Sequence, residues 1–456
     1  MSIATINRTI LWFDEAFQAL SLPVPMVEVE RLAMLVHHSM DAKARVFHTT
    51  RHVFIMGNGM KPLQRLAALF HDVVYYQLDG GFPERVAHLL DGLTRTENGD
   101  LILQEIKPGD RAAALCLDIF DFHPGQVLPL YRGLNEFLSA VVAARLLQPH
   151  LPEAHLIAVV ACIEATVPFR APDALGRTAA QDLAQRIQAR CTKFRSELGL
   201  AEDEIAPFVK NVVTDAVTLA NRDVAGFAEA DPVQCLSNTL LLIEESNAPL
   251  AAVGVYSLRE YRGALQRMEG FLSGLDPAVV CQSYDGHPSA DALRDMTAIT
   301  RRNIEFSCHY LGAILTSISI VEALALCTGS DCPIAMFLGD ISSSDGRPDR
   351  VEDFLPEPPS GQRTEPEMLK VLAEGRSLES VNDLTASPLT TFIYRWLGHE
   401  GMRQTLQRAK GMFDEDMSPH AFLKTLDRAM LHAIIGACAK IALSRREALL
   451  ALENTL

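Results

Sequence analysis

Apolar positions recur along this chain at alternating spacings of four and three. Ile6, Ile10, Phe13, Phe17 and Leu20 fall on one face of an amphipathic helix. The same period returns at about 26–40, 62–76, 131–147, 152–165, 204–229, 255–272, 289–327 and 418–453. Pro152 and Pro419 stand where a first helical position is expected, the latter behind Ser418 as N-cap. Alternating β-branched runs bounded by turn residues are nearly missing. The pattern predicts an all-α fold. Two stretches interrupt it. Residues 342–366 are rich in Pro, Ser and Asp and read as a long loop, and Glu229-Ala-Asp-Pro follows a helix ending near Phe227. A boundary there gives a helical domain over 1–230 and an additional C-terminal helical domain over 231–456, with no internal repeat.

Composition narrows the partners. The 456 residues are 48% apolar, enough for large buried cores. With 41 basic against 57 acidic residues the net charge is −16, which disfavours polymeric nucleic acid and anionic membrane surfaces. The nine cysteines include no C-x-x-C pair and read as reduced interior thiols of a cytoplasmic protein. The first twenty residues carry Asp14 and Glu15 within an amphipathic pattern rather than a basic leader. The apolar run 311–327 falls short of the roughly 20 residues of a span. It holds Glu322 and reads as a core helix.

The chemistry concentrates in residues 44–79, ARVFHTTRHVFIMGNGMKPLQRLAALFHDVVYYQLD. His48 and His52 are four apart and would share one face of a helix. Nineteen residues on, across Gly57-Asn58-Gly59, His71-Asp72 sits in what reads as an apolar helix. An ionised Asp72 is costly to bury among such neighbours unless a cation or donor pairs with it. Imidazole and carboxylate together suit a divalent metal of borderline hardness: Mn, Fe, Ni or Zn.

These segments, F-H-T-T-R-H-V and L-F-H-D-V-V-Y, resemble the HD superfamily of metal-dependent phosphohydrolases, in particular members reading Y-H-[NT]-x-x-H and F-H-D-x-V-Y. Cyclic-nucleotide phosphodiesterases share the first arrangement. The resemblance spans about residues 30–230 and implies an HD-type helical bundle. It also implies one or two divalent metal ions, held by His52, His71, Asp72 and a distant helical Asp, with His48 contacting the phosphate or protonating the leaving oxygen. Asp223, ahead of the break after Phe227, is the expected fourth ligand, with Asp215, Asp118 and Asp121 as the other candidates. Where many two-metal members place a further histidine three residues beyond the HD pair, this chain has Tyr75.

Basic residues near the motifs are Arg45, Arg51, Lys61, Arg65 and Arg85, and of these Arg51, Lys61 and Arg85 are assigned to substrate phosphate. Glu164, closing an apolar helix, and Glu136, opening another, are read as partners of a ligating histidine or of a metal-bound water. Their alternatives are an ion pair to Arg170 for Glu164 and helix N-terminal charge complementarity for Glu136. His37 and His38 read as packed or exposed, while His123, His309 and His432 lack metal-like spacing and read as structural.

The leading functional expectation is hydrolysis of a small phosphorylated, nucleotide-like substrate by a metal-activated water, with His48 and Asp72 as catalytic residues. The other readings are a di-iron oxygenase, which would need extra histidines from His37, His38, His48 or His88, and a non-catalytic regulatory protein with a structural metal site. The apolar helical faces of the C-terminal half suit burial against the first domain or a second copy, hence a homodimer.

Overall fold

A computed structural model describes residues 3–130, 132–251, 255–340, 349–359, 363–376 and 386–456. These form an all-α protein with one two-stranded antiparallel sheet among the described residues. The strands Thr94–Glu97 and Asp100–Leu103 are joined by Asn98 and Gly99, both with positive φ (53° and 91°). That is the backbone a tight I′-type hairpin needs and the reason Asn-Gly favours it.

The chain divides into two compact units: Met1–Ala228 with Asp276–Thr300, and Glu229–Leu275 with Arg301–Leu456. The contiguous division 1–230 and 231–456 is therefore corrected, because residues 276–300 pack with the first unit. Asn221 holds that returning segment at both ends of its amide. Its Nδ2 donates to the Gln282 carbonyl (2.8 Å) and its Oδ1 accepts from the Gln282 N–H (2.7 Å). Gln282 Nε2 reaches the Ala165 carbonyl (3.2 Å), and Lys210 pairs with Asp285.

In the first unit the helix Glu153–Ala165 is the centrepiece. Every residue from Leu156 to Ala165 is buried, as expected of a helix that is apolar all round. It packs against Glu202–Asp223, Leu134–Leu147 and Pro62–Phe70. The helix Thr5–Ala19 buries Trp12, Phe13, Ala16 and Phe17 and lies against Pro62–Phe70. Gly57 ends the helix Thr50–Gly57 under the Trp12 ring, where an added Cβ would stand 2.6 Å from Trp12 Cζ3 and 3.3 Å from Ala68 Cβ. Gly57→Ala is expected to destabilise this unit by about 1–3 kcal/mol through overpacking. Urea unfolding followed by Trp12 fluorescence in a Trp396→Phe background checks this; an unchanged midpoint contradicts the close approach.

The second unit contains the helices Pro232–Glu245, Leu258–Gly274, Pro366–Glu374, Pro388–Phe413 and Arg428–Ile441, and the part of Ala290–Thr328 from Arg301 onward. Ala290–Thr328 is long and apolar enough to cross a membrane by length and composition, and 78% of its most apolar window is buried in the protein. Its Glu322 is buried and ion-paired with Arg262 (2.6 Å). Of the expected loop 342–366, residues 342–348 and 360–362 lie outside the described residues. The rest is not all loop: Val351–Phe354 forms a short 3-10 helix and Pro366 opens a helix.

Candidate metal centre

Three elements of the first unit bring the key side chains together. His52 projects from the first turn of Thr50–Gly57, and Asp223 is the last residue of Glu202–Asp223. His71 and Asp72 follow the helix Pro62–Phe70, with His71 as its C-cap. Two expectations are corrected here. His48 precedes the first of these helices rather than lying on it, and the HD pair sits in a turn rather than within a helix.

That turn is held by the chain around it. Ser139 Oγ accepts from the Val74 N–H (3.1 Å) and Asn135 Oδ1 accepts from the Tyr76 N–H (3.0 Å), so one turn of the helix Leu134–Leu147 replaces the helical bonds residues 73–76 forgo. Arg45 is buried behind it. Its guanidinium donates to the Asp72 carbonyl (2.5 Å) and pairs with Asp79 (2.8 Å), whose carboxylate also accepts from the Tyr75 N–H (3.0 Å). Arg45 is thus a structural clamp, and it escaped the sequence because Asp79 is 34 residues away.

The ligand geometry has one decisive detail. His71 Nδ1 lies 2.8 Å from the Ala68 carbonyl, which can only accept, so Nδ1 carries the proton. The other nitrogen, Nε2, is buried and makes no well-formed hydrogen bond. Asp72 Oδ2 is 2.9 Å and Asp223 Oδ1 3.7 Å from it. His52 Nε2 is 2.9 Å from the same Asp223 oxygen, and one donor atom each from His52, His71 and Asp72 falls within 4.8 Å of the others. A nitrogen lone pair facing two carboxylates is repulsive unless a positive charge, a proton on Nε2 or a metal ion, sits among them. The second nitrogen tied to a backbone carbonyl is the usual orientation of a metal-ligating histidine.

The electrostatics of the protein groups alone agree. Burial disfavours a charged His71, yet Asp72 and Asp223 outweigh it and hold its pKa well above the ordinary value. Burial would raise Asp72, but the His71 imidazole, with His48 and His52, carries it far below the usual carboxylate range. Asp223 is likewise opposed by burial and brought down to about 2 by His52 and His71. Burial pushes Glu136 up to about 7, against a hydrogen bond to its own backbone and with the charges of Asp72 and Asp223 adding to the rise. Glu136 therefore sits in the field of this cluster.

No family model, curated protein or solved structure matches this chain.

The remaining expected residues divide. His48 stands at the cluster, its ring 5.9 Å from His52 and edge-on to Tyr75 at 4.9 Å. Glu164 is corrected: it is buried and paired with Arg170 (2.5 Å) and Arg186 (2.6 Å), not with a histidine, and burial is overcome by these two guanidiniums to lower its pKa. Lys61 is corrected as a phosphate ligand, since it is exposed and paired with Asp215 (2.7 Å). Asp215 precedes Asp223 by eight residues, about 12 Å along a helix axis, and so lies away from the histidines. Asp118 pairs with Arg190, and Asp121 is exposed beside His123. Arg51 is exposed next to His52 in the chain, while Arg85 borders a separate cavity of about 400 Å³ with His38, Lys43 and Asp79. Arg65 is occupied by Glu15 (2.6 Å) and the Trp12 ring.

Proposed function

We propose that this chain is an HD-superfamily metal-dependent phosphohydrolase acting on a small phosphorylated, nucleotide-like substrate. The observation that carries the reading is the convergence of the buried His71 Nε2 on Asp72 (2.9 Å) and Asp223 (3.7 Å) beside His52. Two imidazoles and two carboxylates fit Mn, Fe, Ni or Zn, and His52, His71, Asp72 and Asp223 would hold the ion. When bound, such an ion supplies Lewis acidity, making water a nucleophile near neutral pH and polarising a phosphoryl oxygen.

The chain's own groups do the rest. The Ala68 carbonyl fixes the His71 tautomer, and Arg45, Asn135 and Ser139 fix the turn that presents the HD pair. His48, outside the donor set but against the His52 ring, is placed to hand a proton to a departing oxygen. Tyr75 packs on His48 where many relatives by motif would offer another ligand, which favours a single-ion site.

The test is hydrolysis of p-nitrophenyl and bis-p-nitrophenyl phosphate and of a panel of nucleotides, with each of the four metals. Metal-dependent turnover is expected, and His48→Gln should lower it by about 10²–10⁴-fold with metal content unchanged. No turnover on any substrate with any metal would overturn the phosphohydrolase reading.

A further inference from the structure

The second unit contains another convergence of donor side chains, and it involves a histidine that spacing alone reads as structural. His309, Glu365 and His399 each offer a ligand atom, and these three atoms lie within 4.8 Å of one another. They come from three segments: the helix Ala290–Thr328, the N-cap of Pro366–Glu374, and the helix Pro388–Phe413.

The backbone is bent to bring them together. Gly398 interrupts Pro388–Phe413 with φ 68° and ψ 178°, a left-handed conformation that a side chain would resist. Beyond the break the His399 N–H leaves the helical ladder and bonds the Arg363 carbonyl (3.2 Å). Two residues further along that strand of chain, the Glu365 N–H bonds the Tyr394 hydroxyl (3.2 Å). Both contacts pull the 363–365 segment against the kink. Glu365 occupies an N-cap position, but its carboxylate makes no cap hydrogen bond.

The separations fit a shared ion better than direct pairing. His399 Nδ1 and Glu365 Oε1 are 3.6 Å apart. That is too long for a charge-assisted hydrogen bond, which would be about 2.7–2.9 Å. Two ligands on one tetrahedral zinc, with bonds near 2.0–2.1 Å, stand about 3.3–3.5 Å apart. The His309 and His399 rings have centroids 5.0 Å apart with planes 71° to one another. Two imidazoles on one such ion have centroids roughly 5 Å apart, by the same bond lengths. The His52 and His71 rings of the first cluster are 5.5 Å apart.

We propose that His309, Glu365 and His399 form a second, independent divalent transition-metal site, with zinc as the reference ion. Two imidazoles and one carboxylate would leave the fourth position of a tetrahedral zinc to water or another ligand, unlike a closed structural site with four protein ligands. His309 and His399 also line a cavity of about 210 Å³, with Cys308, Met368, Tyr394 and Met402. An ion there joins segments 34 to 90 residues apart, so its binding stabilises the fold of this unit.

The site is tested on the full-length chain carrying His71→Ala and Asp72→Ala, so that binding is read without the first cluster and irrespective of its function. Equilibrium dialysis against buffered micromolar Zn²⁺ should give one equivalent, and Co²⁺ should give a tetrahedral visible spectrum. Adding His309→Ala or His399→Ala should weaken zinc by at least about 100-fold. Glu365→Gln, at an exposed position that leaves the fold intact, should weaken it by about 10-fold and alter the Co²⁺ spectrum. The exposed His432→Ala is the control and should change nothing. Zinc stoichiometry and affinity indifferent to all three ligand substitutions, or no zinc bound by the chain lacking the first cluster, would overturn the proposal.

Discussion

Asp72→Ala, purified beside the parent chain, is expected to come off the column without the ion proposed for the first unit, its helical content intact. The carboxylate is close to His71 Nε2 (2.9 Å) and belongs to the donor set formed with His52. Removing it leaves two imidazoles and Asp223, and it also removes a main support of a charged His71. Elemental analysis should show one equivalent lost, and hydrolytic turnover should fall by about 10³-fold or more, the equivalent of several kcal/mol of charge stabilisation. Far-UV circular dichroism separates this from unfolding. Retention in the parent chain should weaken as pH falls, because His71 must shed its proton before its lone pair can bind a cation. Full metal occupancy in Asp72→Ala would remove Asp72 from the donor set and the proposed mechanism with it.

The largest effect on stability is expected at Arg45. Its side chain is wholly buried and Asp79 nearly so, and between them they tie the start of the first motif to the turn after the second. Arg45→Met keeps the volume but takes the guanidinium from the nearly buried Asp79 carboxylate, which should cost about 3–5 kcal/mol. Converting Asp79 to Asn in the same chain should recover part of that loss. Urea unfolding in a Trp396→Phe background assigns the signal to Trp12 and so to the first unit. A loss below about 1 kcal/mol would place the pair with ordinary surface bridges.

Legibility in the sequence followed the range of the interactions. The apolar period found the helix Thr5–Ala19 with Phe13 and Phe17 inward, because that pattern is written in neighbours three and four apart. The cluster of His52, His71, Asp72 and Asp223 was nameable from motif residues, and Asp223 differed from Asp215 only by which one met the histidines and which met Lys61. The helix end at Phe70 was invisible. Val73-Val74-Tyr75-Tyr76 continues the apolar run without Gly or Pro, and it leaves the helix because Ser139 and Asn135 take up its N–H groups from 65 and 59 residues away. Glu164 divides the same way: its pair with Arg170, six residues on, was open to the sequence as an alternative, whereas Arg186 lies 22 residues on. The hairpin had a local signal that periodicity passed over, the Asn98-Gly99 pair between Thr94–Glu97 and Asp100–Leu103.

The return of residues 276–300 to the first unit makes that unit discontinuous in the chain. An excision at the apparent boundary near 230 would leave the Asn221 amide without its Gln282 partner, two residues before Asp223 at the end of its helix. The smallest piece of the gene that encodes the whole histidine-bearing body therefore runs to Thr300, and residues 229–275 are in effect an insertion within it. Splitting, swapping or circularly permuting this protein has to respect three crossings between the units rather than one.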